Sequence, residues 1–245
     1  MKHLAILCLI LVLSACSPLQ VATPAPTPLA ITVTYLPTLQ PWVDQLGECA
    51  SKNPLAALFV LPTNELDQNI QQDEIMLILD PTSEQTAGRY ASQVGRDQIV
   101  VIVNEANEVS ALSAEELRSI FTGLMTSWQE GRIQTIQVWV LPQGDPVRRV
   151  FDQVVLQDQL LTSEARLAPD PTAMLEAVSG EVGAIGFLPA SYLKSDGSNV
   201  SGDVQEVQLE EGVTAALDQP VVAVTQEEPS GIIRSLLVCL QSSTH

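Results

Sequence analysis

The stretch of the chain best suited to binding chemistry is LPQGDPVRRVF, residues 141–151, which follows the apolar run QTIQVWV. A strand that leads through a glycine turn into a helix often binds an anion, because backbone N–H groups and the helix dipole converge at the helix start. Gly144 suits such a turn, and Arg148 adds a cation within the first helical turn. Asp145, however, introduces a carboxylate at the point where an anion would bind.

Two interpretations of Asp145 remain open on the sequence. A carboxylate directly before Pro146 is well placed to cap the helix by accepting hydrogen bonds from its first N–H groups, and we predict this role. The alternative is that Asp145 recognises an amine or another cation. Arg148 either pairs with Asp145 or stays available to a ligand, and we favour the pairing.

Hydroxyl side chains at the ends of other apolar runs provide further candidate ligand contacts. Thr38 follows ITVTYLP, Thr63 follows ALFVLP, and Thr82 and Ser83 follow IMLILDP. Each hydroxyl could donate to a solute, since ligands of open α/β folds bind beyond the carboxyl ends of the strands. For Thr63, Thr82 and Ser83, capping or solvation of a helix start is the simpler interpretation.

The residue types needed for most enzyme chemistry are missing from the body of the chain. The sequence has two histidines, His3 and His245, so neither a Ser-His-Asp triad, nor a Cys-His pair, nor a histidine-bound zinc site can be assembled from the body. The carboxylate pairs Glu115-Glu116 and Glu227-Glu228 are chain neighbours that point in different helical directions, which is typical of surface charge. We therefore predict no catalytic residues, no metal site and no cofactor.

The elements that must position these residues alternate between short apolar runs and helical patterns. ITVTYL is followed by PWVDQLGECA, ALFVL by NELDQNIQQ, and QIVVIVN by SAEELRSIF. Strands that alternate with helices of this length indicate βαβ units. The sequence therefore predicts an α/β protein with mainly parallel sheets flanked by helices.

Several helix starts can be located from local chemistry. Aspartate precedes proline at Asp80-Pro81, Asp145-Pro146 and Asp170-Pro171. Aspartate caps the free N–H groups of a helix, and proline is favoured at the first helical position. Ser113 and Glu116 have the spacing of a capping box.

The N-terminus predicts export and attachment to a membrane. MKHLAILCLILVLSAC has a basic residue, an apolar stretch and a small-residue ending before Cys16, so we interpret residues 1–16 as a lipoprotein signal with Cys16 as the lipidated residue. An ordinary cleaved signal is the alternative. Residues 17–30, which are rich in proline, alanine and threonine, are predicted to tether a folded body to the cell membrane, outside the cytoplasm.

Charge and cysteine usage agree with this location. The formal net charge is −18, which disfavours nucleic acid as a partner. In an oxidising compartment Cys49 and Cys239 can pair, which requires the C-terminal helix to pack back on the N-terminal part of the body. Two buried free thiols are the alternative.

Residues 98–151 resemble a known family. QIVVIVNEANEVSALSAEELRSIFTGLMTSWQEG followed by IQVWVLPQGDPVRRVF, together with the later GAIGF at 183–187, is similar to the phosphate-binding proteins of bacterial ABC transporters, which have the type 2 periplasmic binding protein fold. The resemblance implies two α/β lobes joined by crossover strands, with Val100–Val103 in a strand that crosses between them. We expect lobe 1 to contain 31–101 and 215–245, and lobe 2 to contain 102–214. The resemblance also implies delivery of a small polar solute, such as an oxyanion, to an ABC permease.

The ligand turn departs from the pattern of that family. Relative to the family motif, Leu141 stands in place of an arginine, Asp145 in place of a serine, and Val147 in place of a threonine, while Gly144 and Arg148 are kept. Two like charges about 4 Å apart repel by about 4 kcal/mol at an effective dielectric constant near 20, so phosphate is disfavoured at this turn. The alternative function is therefore a binding-fold envelope lipoprotein that has lost solute capture and acts in interaction or sensing.

Overall fold

The computed structural model describes residues 27–63, 69–129, 132–194 and 203–243. The predicted signal peptide with Cys16, and the predicted tether up to residue 26, lie outside the described residues. Within the described ranges, every helix is too short or too polar to span a bilayer.

Strands and helices alternate along the chain, as the apolar runs predict. The first elements are β1 Leu29–Tyr35, a 3-10 turn Pro37–Leu39, α1 Gln40–Ser51, β2 Ala56–Pro62, β3 Glu74–Leu79, α2 Ser83–Thr86 and β4 Tyr90–Asn104. The middle of the chain forms β5 Ala111–Leu112, α3 Ala114–Phe121, β6 Ser127–Gln129, β7 Arg132–Thr135, β8 Gln137–Val140 and α4 Pro146–Phe151, which continues as a π-helical turn Asp152–Leu156. The remaining elements are β9 Arg166–Leu167, α5 Pro171–Gly180, β10 Ala184–Pro189, α6 Ser191–Lys194, β11 Val204–Glu206, β12 Gln208–Leu209, α7 Glu211–Ala216, β13 Asp218–Thr225 and α8 Gly231–Ser243.

One strand joins the two halves of the main sheet. The strand order is β2-β1-β3-β13-β4-β10-β8-β9, and β11 also pairs with β4. Residues 90–98 of β4 pair with β13, whereas residues 99–103 pair with β10. We call β1, β2, β3, β13 and the first part of β4, with α1, α2 and α8, the first lobe. The second lobe contains the rest of β4 with β8, β9, β10, β11 and helices α3, α4 and α5.

The main sheet is mixed rather than mainly parallel. β1 is parallel to β2 and β3, and β8 is parallel to β9 and β10. β13 is antiparallel to both β3 and β4, and β10 is antiparallel to β4. β13 and β4 are antiparallel because the chain leaves the first lobe along β4 and returns to it along β13. The predicted α/β class with two lobes is confirmed, and the parallel pairs lie in the outer part of each lobe.

Most predicted helix starts are confirmed, and one is wrong. The side chains of Asp145 and Asp170 cap α4 and α5, and Ser113 forms the capping box of α3 with Glu116. Asp80 does not start a helix: its φ is 45°, and Thr82 caps α2 in a second capping box. A capping residue has an extended backbone, whereas the backbone of Asp80 is left-handed, so the helix begins later, where Thr82 accepts from the Gln85 amide.

Aromatic packing fills the core of the second lobe. Phe121, Phe151 and Phe187 are fully buried, and the rings of Phe151 and Phe187 stack with centroids 3.8 Å apart. Gly186 of β10 allows helix α5 to pack closely, since a Cβ at this position would lie 2.3 Å from Met174 Sδ. Trp128 packs against the same core, and its Nε1 donates to the carbonyl oxygen of Gly183 at 3.0 Å.

A disulfide holds the C-terminal helix on the first lobe. Cys49 of α1 and Cys239 of α8 are bonded, with an S–S distance of 2.01 Å and a Cα–Cα distance of 5.9 Å. Gln45 Nε2 of α1 also donates to the carbonyl oxygen of Ser243 at 3.0 Å. Helix α8 is therefore held against α1 by a covalent bond and a hydrogen bond.

Candidate functional site

The turn after β8 meets the end of β1 between the two lobes. One oxygen of the Asp145 carboxylate accepts a hydrogen bond from the Val147 amide at 2.8 Å, and the other accepts from Thr38 Oγ1 at 3.1 Å. Thr38 is fully buried in the 3-10 turn that follows β1. Asp145 thus caps α4 and also bridges the lobes, which brings two of the predicted site residues together.

The Asp145 carboxylate is in an environment that disfavours its charge. Burial raises its pKa from 3.8 to about 6, because loss of water penalises the ionised form. Hydrogen bonds from the Val147 amide, the Thr38 hydroxyl and the Arg148 amide oppose this rise only in part. The carboxylate therefore already uses the helix-start amides and the Thr38 hydroxyl, which could otherwise bind an anion.

The predicted pairing of Arg148 with Asp145 is wrong. The guanidinium contacts other groups: Nε lies 2.7 Å from each carboxylate oxygen of Asp152, and Nη1 donates to the carbonyl oxygen of Leu141 at 3.1 Å. Residues four apart share one face of a helix, so Arg148 and Asp152 are neighbours. The Asp145 carboxylate instead turns toward the amides of the first helical turn.

A second contact between the lobes was not foreseen from the sequence. Arg149 Nη2 donates to the backbone oxygen of Asp80 at 2.5 Å and to its carboxylate at 3.0 Å. Both side chains are about one-third exposed, at 35% and 32%, so the ion pair contributes about 1 kcal/mol or less. The signal that could have located it is Asp80-Pro81 at the end of an apolar run, where the chain turns toward the facing lobe.

Two buried tyrosines hold the turn that carries Thr38. The Tyr192 hydroxyl of α6 donates to the carbonyl oxygen of Pro37, and the Tyr35 hydroxyl donates to the side-chain oxygen of Gln40. Burial raises the pKa of Tyr192, and the negative charges of Asp170 and Asp145 raise it further. Burial likewise raises the pKa of Tyr35. Sequence reasoning missed Tyr192, because its position after GAIGF gives no local indication of a contact with residue 37.

The other predicted site residues have local structural roles. Thr82 Oγ1 accepts from the Gln85 amide at 3.4 Å, and both Thr82 and Ser83 are exposed at the start of α2. The Thr63 amide donates to the carbonyl oxygen of Tyr35 at 2.9 Å, which extends the pairing of β1 with β2. Gly144 is exposed, and a Cβ there would meet nothing within 4 Å. Across the described part of the chain, histidine, cysteine and carboxylate side chains form no group of three able to hold a metal ion.

The fold and the junction define a class of protein. Two α/β lobes share a long crossover strand, and a helix start in one lobe faces the end of the first strand in the other, as in two-lobed solute-binding proteins. A family model described as the PBP superfamily domain matches residues 71–232, and the chain belongs to this superfamily. The resemblance seen in residues 98–151 is thereby confirmed.

Curated relatives and solved structures agree with this membership. The chain is 27% identical over 174 residues to the phosphate-binding protein PstS of Bacillus subtilis (strain 168), a match that covers 66% of this chain and 57% of that relative. The match thus spans little more than half the length of that relative. The structure described as a phosphate ABC transporter substrate-binding protein from Clostridium perfringens with bound phosphate has a TM-score of 0.70 at 20% identity, covering 86% of this chain and 93% of that chain. An ABC-type phosphate transport receptor from Vibrio cholerae has a TM-score of 0.60 at 18% identity, covering 88% and 94%.

Proposed function

We propose that this protein is an extracytoplasmic solute-binding lipoprotein that is anchored through Cys16 and delivers a small polar solute to an ABC permease. The observation that carries the proposal is the junction of Thr38 and Asp145, where a helix start of one lobe faces a strand end of the other in a chain of the PBP superfamily. The phosphate-binding relatives support transport as the function, and the signal-like N-terminus supports the anchor. The lobe boundaries, 31–101 with 215–245 and 102–214, belong to the same proposal.

The solute is proposed to differ from inorganic phosphate. A phosphate at the start of α4 would compete with the Asp145 carboxylate for the Val147 and Arg148 amides. At neutral pH it would also meet a negative charge, whereas the Arg148 guanidinium is directed to Asp152. The Asp145 carboxylate therefore disfavours an oxyanion at this place. The choice of solute then depends on the other candidate ligand contacts, which are Thr38, Thr63, Thr82, Ser83 and Gly144.

A second function is favoured by the contacts between the lobes. Thr38 bonds to Asp145, and Asp80 bonds to Arg149, so the polar groups at the junction satisfy one another. A protein whose binding groups are occupied by its own side chains would act as an envelope interaction or sensing module rather than as a carrier. This alternative keeps the lipid anchor and the fold but removes the permease as a partner.

Thermal unfolding in the presence of candidate solutes tests both functions. A solute that binds only the native state raises the stability by RT ln(1 + [L]/Kd), about 2.7 kcal/mol at 100 times Kd. We expect at least one oxyanion other than phosphate, amino acid or polyamine at millimolar concentration to raise the melting temperature. If none does, the carrier function is contradicted and the envelope-module alternative is supported.

A double variant tests whether Asp145 and Val147 exclude phosphate from the turn before α4. Asp145→Ser with Val147→Thr removes the carboxylate and restores two hydroxyls, so phosphate should raise the melting temperature of this variant but not of the parent protein. Gly144→Ala, which changes an exposed position of the same turn, is the matched control. Strong stabilisation of the parent protein by phosphate would contradict the proposed exclusion.

A further inference from the structure

Two side-chain contacts connect the lobes on either side of helix α4. Thr38, after β1, donates to Asp145 at the start of α4, and Asp80, after β3, binds Arg149 one turn later. Both partners from the first lobe lie at the ends of neighbouring parallel strands, and both partners from the second lobe lie on one short helix. The two contacts therefore act on the same relative movement of the lobes.

Further hydrogen bonds fix the positions of Thr38 and Asp80. The Tyr192 hydroxyl fixes Pro37 in the turn that carries Thr38. Asp80 has a left-handed backbone, with a φ of 45°, and its amide donates to the carbonyl oxygen of Pro220 at 2.9 Å. Asp80 is positioned by its own lobe, whereas Tyr192 lies in the part of the chain, 102–214, that is assigned to the second lobe, so separating the lobes also breaks its hydrogen bond to Pro37.

We propose that the pairs Thr38–Asp145 and Asp80–Arg149 form a latch that closes the two lobes on each other, and that the charge on Asp145 sets how firmly the latch holds. The protein supplies both the donor and the acceptor of each pair, so closure needs no solute. The proposal deepens the proposed function, since it concerns the regulation of the same cleft.

The surroundings of Asp145 explain why its charge matters. The 3-10 turn contributes the Thr38 hydroxyl, and α6 contributes Tyr192, which is in turn close to Tyr35 of β1. The carboxylates of Asp170, at the start of α5, and Asp44, on α1, act on Tyr192, so the titratable groups reported around this tyrosine in the described part of the chain are acids or phenols. The guanidinium groups of α4 itself, those of Arg148 and Arg149, are bound to Asp152 and Asp80. Closing the lobes thus removes water from an ionised carboxylate without giving it a cation.

Opening the lobes returns water to Asp145, which makes closure depend on pH. The pKa of Asp145 is about 6 in the closed form, and we take the ordinary value of 3.8 for the solvated, open form. The closed form then binds the proton more tightly, and protonation favours closure. From these values the ratio of closed to open molecules should rise about tenfold as the pH falls from 7.5 to 5. The Asp80–Arg149 pair joins the lobes separately from Asp145.

Distance measurements across the cleft test the latch. Fluorophores are placed through non-natural amino acids at the exposed positions 87 and 143, so that the Cys49–Cys239 disulfide stays intact. Single-molecule energy transfer on the full chain without added solute then gives the closed and open populations at pH 5 and pH 7.5. We expect the closed-to-open ratio to differ about tenfold between the two conditions.

Four variants distinguish the contribution of the Thr38–Asp145 pair from that of the Asp80–Arg149 pair. Asp145→Asn should abolish the pH dependence while still capping α4, and Thr38→Val should shift the population toward the open form without changing the cap. Arg149→Met should shift it toward the open form at both pH values and leave the pH dependence. Asp158→Asn, which removes an exposed carboxylate of the same lobe, should change nothing.

Two results would overturn the latch. One is a closed-to-open ratio in the parent protein that is the same at both pH values, and the other is an unchanged ratio in both Thr38→Val and Arg149→Met. These measurements contain no solute, so they are independent of the thermal screen. A protein that binds a solute but shows neither effect keeps the proposed function and loses the latch.

Discussion

Replacing Asp145 by asparagine should stabilise the protein at neutral pH. The amide oxygen of asparagine can still accept from the Val147 amide, so the cap of α4 is retained while the charge is lost. The pKa of Asp145 is raised by burial from 3.8 to about 6, so the folded state disfavours the ionised form. One pKa unit corresponds to about 1.4 kcal/mol, and the free energy of unfolding should therefore increase by about 3 kcal/mol at pH 7.

The sign of the pH dependence provides the sharper test. A carboxyl group whose pKa is raised on folding contributes most to stability when it is protonated, and it loses that contribution as the pH rises from about 4 through about 6. The difference between Asp145→Asn and the parent protein should thus be largest at pH 7 and vanish near pH 4. Comparing the variant with the parent protein isolates the contribution of Asp145.

Urea denaturation followed by tryptophan fluorescence at pH 7.5, 6.5, 5.5 and 4.5 measures this difference. The exposed Asp158 provides the control, because Asp158→Asn removes the same charge from a solvated position and should give a small difference at every pH. A variant Asp145→Asn that is less stable than the parent at pH 7.5 would refute the reasoning. A difference that stays constant from pH 7.5 to 4.5 would refute it as well.

Three further predictions concern packing, capping and the disulfide. Gly186→Ala should destabilise the protein by about 1–3 kcal/mol in urea denaturation, because the new Cβ would lie 2.3 Å from Met174 Sδ, whereas Gly144→Ala should have little effect. Asp170→Ala removes the side chain that accepts from the Ala173 amide at 2.9 Å and should lower the stability by about 1 kcal/mol, with rescue by Asp170→Ser. Cys49→Ser with Cys239→Ser should lower the free energy of unfolding by about 2–4 kcal/mol. A thiol titration of unfolded residues 27–245, in which Cys49 and Cys239 are the two cysteines, would contradict the pairing if it found two reactive thiols.

The parts of the fold that depend on neighbouring residues could be predicted from the sequence. The caps at Ser113, Asp145 and Asp170 are confirmed, because capping is decided within three or four residues of the helix start. Leu117, Ile120 and Phe121 of α3 are fully buried, and their spacing of three and four residues places them on one face of the helix. Apolar periodicity was therefore sufficient to recover the α/β class.

The errors arise where the outcome depends on distant parts of the chain. The direction of β13 relative to β4 is set by how the chain returns to the first lobe, which no local pattern reports. Asp80 has the residue pattern of a cap but serves the facing lobe, and Arg148 prefers Asp152 to Asp145. The contacts of Thr38, Arg149 and Tyr192 likewise join residues that are 69 to 155 positions apart.

The capping role alone does not account for the charge on Asp145. A side-chain cap stabilises a helix by about 1 kcal/mol, and serine or asparagine performs this role about as well as aspartate. The ionised carboxylate between the lobes costs about 3 kcal/mol at neutral pH, because its pKa is raised to about 6. An uncharged cap would therefore give a more stable protein with the same start to α4. The stability cost of this charge is consistent with the proposed effects of Asp145, which lies opposite Thr38, on the choice of solute and on the closing of the lobes.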